Sequence, residues 1–237
     1  MTTAIILAGG LGTRLRSVLP DIPKPMAPIN GRPFLEYQME YWIAQGIKEF
    51  VISVGYLRDQ IIGHFGENYR GCSVQYSVEE VQLGTGGGVL AAARYLSSDA
   101  PFLLLNGDTF FEVELVALQT FHRESESEWT FSMFRAAEPG RYMGMEVDSD
   151  GRLTDVGSVL GVEGALANGG VYLIDPKVLA ASAWTAGDKF SLEADLVPNA
   201  FKRGVRFFGF ESDGRFIDIG VPGDYARAPS VLTTRLL

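Results

Sequence analysis

TAIILAGGLGTRLRSVLPDIPKPM, residues 3–26, runs from an apolar stretch into three glycines and then into clustered positive charge. Ala4-Ile5-Ile6-Leu7-Ala8 is a short continuous apolar run bounded by turn residues, the pattern of a buried strand, here residues 5–8. Gly9, Gly10 and Gly12 follow, then Arg14 and Arg16, then Lys24 held between Pro23 and Pro25. In open α/β sheets ligands bind beyond the carboxyl ends of the strands, where this loop stands. Glycines let successive backbone N–H groups converge on an anion, and Arg14 adds a charged fork of donors. The flanking prolines fix two φ angles and stiffen the backbone of Lys24. A Rossmann loop starting at Gly10 needs glycine at 15, where Leu15 stands, and no G-x-x-x-x-G-K-[ST] stretch occurs. A plain glycine-rich turn fits the loop taken alone; the nearby cations favour a polyphosphate cradle.

Outward from this stretch, strand-like and helix-like runs alternate. The apolar residues Leu35, Met39, Trp42 and Ile43 predict a helix over 34–45 stopped by Gly46. Strands are expected at 51–54, 74–78 and 102–105, with helices at 60–65 and 89–96. Such alternation predicts a parallel sheet covered on both faces. The second half changes character. Strand-like runs at 130–135, 144–147, 170–174, 205–210 and 216–219 are separated by turn signals and interrupted by helices at about 176–183 and 192–203. The expectation is a single α/β domain over residues 1–237 with a mixed, mostly parallel central sheet flanked by helices.

The totals set limits. The chain has 237 residues and 46% hydrophobic residues, enough for a substantial core. Twenty basic residues stand against 29 acidic ones, a formal net charge of −9, which argues against a nucleic-acid or anionic-membrane surface. Any bound anion must therefore be held by local placement of positive groups. One cysteine, Cys72, excludes an intramolecular disulfide and a cysteine-based zinc site. His64 and His122 read as surface or packing residues. No signal peptide is evident and no apolar run is long enough for a membrane span, so the cytoplasm is the expected location.

Two carboxylates end apolar strands far apart in the chain, Asp108 in Asn106-Gly107-Asp108 and Asp218 in Asp218-Ile219-Gly220. Each is either a turn cap or a hard oxygen ligand; converging strand ends would suit Mg²⁺ with substrate phosphates.

Gly-Gly-x-Gly-Thr-Arg-Leu followed by Pro-Lys-Pro-Met resembles the signature of sugar-1-phosphate nucleotidylyltransferases, which join a sugar 1-phosphate to a nucleoside triphosphate and release pyrophosphate. The resemblance runs along nearly the whole chain. It implies a Rossmann-like nucleotidyltransferase fold, with a nucleotide-binding part of about residues 1–110 and a sugar-binding part of about 111–237. It implies that the strand end and loop (Leu7, Ala8, Gly9, Gly10, Gly12, Thr13) with Arg14 hold the triphosphate and that Lys24 meets the reacting phosphates. Asp108 and Asp218 become the ligands of Mg²⁺. Gly84 and Thr85, in Leu83-Gly84-Thr85, would lie against the nucleobase, with Glu80 reading its edge. Asn106, Gly144, Asn168 and Glu193 would face the sugar, although Glu193 also fits as a carboxylate favoured by a helix dipole.

One departure stands out. Many family members carry a Glu-Lys pair before the Asn-x-Gly-x-Tyr segment, and residues 153–159 here hold no lysine. Either another cation, such as Arg141 or Arg135, replaces it, or metal and Lys24 hold the sugar phosphate. The short form, with Asn-Gly-Asp-Thr-Phe-Phe and Asn-Gly-Gly-Val-Tyr and without the left-handed β-helix domain of longer relatives, is most similar to D-glycero-α-D-manno-heptose 1-phosphate guanylyltransferases. That resemblance implies GTP and the heptose 1-phosphate as partners, GDP-heptose for bacterial surface polysaccharide as product, and a homodimer. A mannose- or glucose-1-phosphate enzyme using GTP, UTP or dTTP, or a catalytically silent binding subunit, are the alternatives.

Overall fold

A computed structural model describes residues 2–10, 12, 15, 19–138, 141–160 and 163–232. In chain order its strands are β1 (Thr3–Ala8), β2 (Pro28–Ile29), β3 (Arg32–Pro33), β4 (Glu49–Val54), β5 (Asn68–Tyr69), β6 (Cys72–Val78) and β7 (Phe102–Asn106). They continue with β8 (Thr109–Phe111), β9 (Trp129–Arg135), β10 (Met143–Val147), β11 (Leu153–Leu160), β12 (Leu166–Ile174), β13 (Phe207–Glu211) and β14 (Phe216–Asp218). The α-helices are α1 (Phe34–Ala44), α2 (Arg58–Phe65), α3 (Gly84–Ala92), α4 (Leu115–Glu124), α5 (Pro176–Ala180), α6 (Val197–Lys202) and α7 (Pro222–Val231).

The large sheet is parallel through its middle, in the order β7-β1-β4-β6. Ile5, Ile6, Val51, Ile52 and Leu103 to Leu105 are almost completely buried, as expected for strands covered on both faces. One face packs Leu35, Met39 and Trp42 of α1 and the other packs Val89 and Ala92 of α3. The second half extends the sheet: β12 runs antiparallel to β7, and β9 and β10 add to β12. Thus the mixed sheet is one continuous surface across both halves of the chain.

Several boundaries differ from the sequence expectation. The helix expected at 89–96 begins at Gly84, inside the glycine run, and ends at Ala92. The helix expected at 192–203 is two pieces, a wide π-type turn over Leu192–Leu196 and then α6. Strand β11 and helices α4 and α7 were not expected from the sequence, although α4 buries one face through Leu115, Leu118 and His122; α7 contains Pro229. No helix among the described residues is long and apolar enough to cross a membrane.

Candidate active site

Strands β1 and β7 end side by side, with Leu7 in register with Asn106. The Gly107 N–H donates to the Leu7 carbonyl at 3.0 Å, and a Cβ at 107 would lie 2.3 Å from that carbonyl oxygen. Only glycine lets the two strand ends approach this closely. The turn that follows carries Asp108. It is held from below by buried Gln38 of α1, whose amide donates to the carbonyls of Asn106 (2.8 Å) and Thr109 (2.7 Å).

Asp218 reaches the same place through a small two-stranded sheet. Strand β14 pairs antiparallel with β8, setting Asp218 opposite Thr109, and the Ile219 N–H donates to the Asp108 carbonyl at 2.9 Å. The Asp218 Oδ1 accepts from the Gly220 N–H at 2.5 Å. Residues 110 positions apart (218 − 108) therefore share one strand-end platform.

Lys24 completes the cluster. It sits in a tight 3₁₀ turn, Lys24–Met26, whose buried Pro25 fixes it, and its Nζ lies 2.5 Å from Asp108 Oδ2. Its side chain is 10% exposed against 37% for Asp108, so the ammonium is largely withdrawn from water. A Cβ at Gly220 would lie 2.6 Å from Asp218 Oδ1 and 2.7 Å from Lys24 Nζ, which places both charged groups on one face of Gly220. Gly12, at φ +59°, backs against the Cβ of Lys24. Leu7, Ala8, Gly10 and Gly12 share a depression of about 210 Å³ with Lys24 and Asp108.

Next to it, and sharing Leu7, Gly10 and Asp108, opens a cleft of about 360 Å³. Gly9, Glu79, Gln82, Gly84 and Thr85 line it together with Asn106, Lys189 and Glu193. One wall is built by segment 188–193 lying across the start of α3. The Phe190 N–H donates to the Leu83 carbonyl (3.0 Å) and the Gly86 N–H donates to the Phe190 carbonyl (3.1 Å). Cβ atoms at 84, 86 and 87 would meet Phe190 or Asp188 at 2.5 Å or less, so this packing explains the glycine run. Thr85 Oγ1 accepts from the Leu192 N–H (2.8 Å) and donates to Glu193 Oε2 (2.9 Å), tying segment 188–193 to the start of α3.

Beneath Glu193 lies Tyr172, fully buried. Burial, and then the negative charge of Glu193, push its phenol well above the ordinary range, so it stays a neutral hydroxyl. Asn168 donates to that hydroxyl at 2.7 Å and accepts from the Gly170 N–H at 3.0 Å, so its amide is used inside a bulge of β12. Asn106 also bonds the Tyr172 hydroxyl. Gly144 lies on β10 opposite Ala167, beside Asn168 along the sheet and not in the cleft wall.

Other sequence expectations are placed differently. Glu80 is exposed and takes Arg58 at 2.9 Å in a separate shallow groove; the cleft carboxylate is its neighbour Glu79. Arg141 pairs with buried Asp224 and with Glu138, and Arg135 pairs with Glu211. Neither lines the cleft. Among the described residues the cation that does is Lys189, which an ordinary polar loop gives no reason to single out, and Gln82 and Gln38 were equally silent. Thr13 and Arg14 lie outside the described residues. His122 is buried against Thr130, His64 pairs with Glu36, and Cys72 is fully buried.

Chemically, the cluster offers two carboxylates on adjacent strand ends and a cradle kept open by Gly220. Among the described residues no group of three His, Cys, Asp or Glu side chains gathers to hold a metal alone. A donor set of two carboxylates fits Mg²⁺, which completes its shell with phosphate oxygens and water.

Comparison with known proteins follows the same lines. Residues 3–235 match the nucleotidyl transferase family model. The chain is 38% identical over 229 residues to D-glycero-alpha-D-manno-heptose 1-phosphate guanylyltransferase of Aneurinibacillus thermoaerophilus, covering 97% of each chain. It is 39% identical over 222 residues to the protein of the same name from Campylobacter jejuni, covering 94% of this chain and 96% of the other. The crystal structure of HddC from Yersinia pseudotuberculosis, 35% identical, superposes with a TM-score of 0.84 over 98% of this chain and all of that one, and HddC has also been crystallised with GMP-PN. By sequence over nearly its full length and by fold, the chain belongs to the nucleotidyl transferase family.

Proposed function

We propose that this chain transfers GMP from GTP to D-glycero-α-D-manno-heptose 1-phosphate, giving GDP-heptose and pyrophosphate. The observation that carries this reading is the meeting of Lys24, Asp108 and Asp218 beside a cleft of about 360 Å³, in a chain whose curated relatives at 38–39% identity are heptose 1-phosphate guanylyltransferases.

A phosphate oxygen of the sugar 1-phosphate attacks the α-phosphorus in line. The bond from that phosphorus to the bridging oxygen breaks, and pyrophosphate leaves with the electron pair. The nucleophile is already anionic at neutral pH, so no general base is needed, which matches a cleft without histidine. The barrier is electrostatic, because two polyanions must meet, and positioning with fixed charge supplies most of the rate. Lys24, held by its proline-stiffened turn, exchanges Asp108 for phosphate oxygens. Asp108 and Asp218 would hold Mg²⁺, which when bound neutralises phosphate charge and orients the leaving group. The glycine loop and Arg14 bind the triphosphate, while Gly84 and Leu83 flank the base. Lys189 takes the part of the missing sugar-phosphate lysine, and Glu193 and Asn106 take sugar hydroxyls. On this reading residues 1–110 serve mainly the nucleotide and 111–237 mainly the sugar, in a cytoplasmic homodimer whose mass sedimentation would measure.

The deciding assay is pyrophosphate release with Mg²⁺, crossing the four common NTPs with heptose, mannose and glucose 1-phosphates. Strong release confined to GTP with the manno-heptose phosphate supports the reading. Release with another pair keeps the chemistry and replaces the substrate. No release with any pair turns the chain into a binding subunit.

A further inference from the structure

The turn that presents Asp108 is mounted through backbone groups tied to other parts of the chain. The Gly107 N–H donates to the Leu7 carbonyl, and the Asp108 carbonyl accepts from the Ile219 N–H. The carbonyls of Asn106 and Thr109, one on each side of Asp108, both accept from the side-chain amide of Gln38, at 2.8 and 2.7 Å. Gln38 is 2% exposed, and the two hydrogens of its amide nitrogen are both spent on this turn. Turned over, the amide would set its oxygen against two carbonyls, so its orientation is fixed; Oε1 itself meets no donor among the described residues. The bulge of β12 closes in on the turn as well: a Cβ at Gly170 would lie 2.4 Å from Thr109 Oγ1 and 2.9 Å from Asn106 Nδ2.

A second glutamine stands two helical turns further along (45 − 38 = 7), where it caps the end of α1. The Gln45 amide donates to the Val113 carbonyl at 3.1 Å, and its Oε1 accepts from the Leu115 N–H at 2.7 Å. Helix α1 therefore grips segment 106–115 at two places, through Gln38 at the Asp108 turn and through Gln45 beyond β8. Satisfying backbone groups that are withdrawn from water accounts for Gln45 completely. Gln38 differs in that its two bonds straddle a carboxylate of the reacting site. We propose, on the nucleotidyl-transfer reading above, that Gln38 is a positioning residue for Asp108. By tying the carbonyls on either side to α1, it sets the peptide planes that aim the carboxylate at Lys24 and the reacting phosphates. A side chain at 38 that cannot donate frees those planes, and a misplacement of about 1 Å at reacting groups costs on the order of 10²-fold in rate.

The test compares Gln38→Met with Gln45→Met, each of which loses its side-chain hydrogen bonds to the same segment. Both are expected to lower the denaturant midpoint. With the NTP and sugar 1-phosphate that the wild type turns over best, Gln38→Met is expected to lower kcat by about 10- to 100-fold, with KM for each substrate within about twofold. Gln45→Met is expected to keep kcat within about twofold of wild type. Mn²⁺ titrated by electron paramagnetic resonance, with that NTP present and no sugar phosphate, gives a reading independent of turnover. Its apparent Kd is expected to rise about tenfold in Gln38→Met alone. If both variants lose stability and both keep wild-type kcat and Mn²⁺ affinity, Gln38 is a satisfied core amide and the proposal falls. It falls as well if Gln38→Met raises one KM and leaves kcat unchanged. If Gln38→Met does not fold, Gln38→Leu is read by the same two measurements. A wild type that releases pyrophosphate with no pair overturns the transfer reading instead, and the Mn²⁺ comparison with GTP still decides Gln38.

Discussion

Lys24 Nζ and Asp108 Oδ2 lie 2.5 Å apart, although 84 positions separate them in the chain. Lys24 is delivered by a 3₁₀ turn between prolines and Asp108 by a turn at the end of β7, so neither moves far when the other is changed. Lys24→Met and Asp108→Asn are each expected to lower kcat by roughly 10²-fold or more. The melting temperature should change little, because Asp108 keeps a solvated side. Steady-state kinetics with thermal denaturation checks this, and full activity in Asp108→Asn would remove Asp108 from the site.

Thr85 is bonded to Glu193 rather than left free for the nucleotide. Thr85→Val is expected to raise KM for the sugar 1-phosphate by about tenfold, the scale of one hydrogen bond to a charged group, with KM for GTP nearly unchanged. Thr85→Ser should restore the wild-type value. An increase confined to KM for GTP would return Thr85 to the nucleotide side.

Glycines in two helices should respond oppositely to alanine. At Gly86 a Cβ would lie 2.3 Å from the Phe190 ring, and overpacking of this kind costs about 1–3 kcal/mol. At Gly63, exposed within α2, a Cβ meets nothing within 4 Å, and alanine should stabilise by about 0.5–1 kcal/mol through helix propensity. Chemical denaturation of Gly86→Ala and Gly63→Ala gives both signs.

Burial lowers the pKa of His122 below its ordinary 6.5, against a smaller opposing pull from Asp175. The unfolded chain therefore takes up this proton first as pH falls. The stabilising contribution is complete above about pH 6.5 and is lost progressively as pH drops from there through the folded pKa. Denaturant midpoints measured between pH 7.5 and 5 should fall less steeply in His122→Asn; an identical slope would clear His122 of the effect.

Arg141 and Lys189 make a contrasting pair. Arg141→Ala should cost roughly 1–3 kcal/mol of stability, because it strips a partner from buried Asp224 and loosens α7, while KM for the sugar 1-phosphate stays as it was. Lys189→Met should raise that KM by about tenfold and leave stability unchanged, since its side chain is exposed in the cleft. The reversed pattern would show that Arg141 grips the sugar phosphate.

The legible parts of this protein share one property: their signal is local. The apolar run of β1, the periodic face of α1 and the paired prolines around Lys24 specify their own conformation from neighbouring residues. The start of α3 was illegible, because Gly84, Gly86 and Gly87 read as a loop when taken alone. They are helical because segment 188–191 presses on them from another part of the chain. Glu79 and Glu80 were indistinguishable for a related reason. One residue of chain direction decides which carboxylate turns into the cleft and which meets Arg58, and that direction is set by Ser53 and Leu83.

The sequence by itself determined a mixed α/β sheet with a glycine loop at the end of its first strand, and the residue types a polyphosphate site requires. Those follow from hydrophobic periodicity and from the backbone limits of glycine and proline, which act over a few residues. Only the tertiary structure decided which charged groups meet. It joined Lys24 to Asp108, set Asp218 on the same platform through β8 and β14, brought Lys189 and Glu193 over the start of α3, and turned Arg141 away to Asp224. Charge pairing depends on distance in space, and strand register and crossover packing fix that distance.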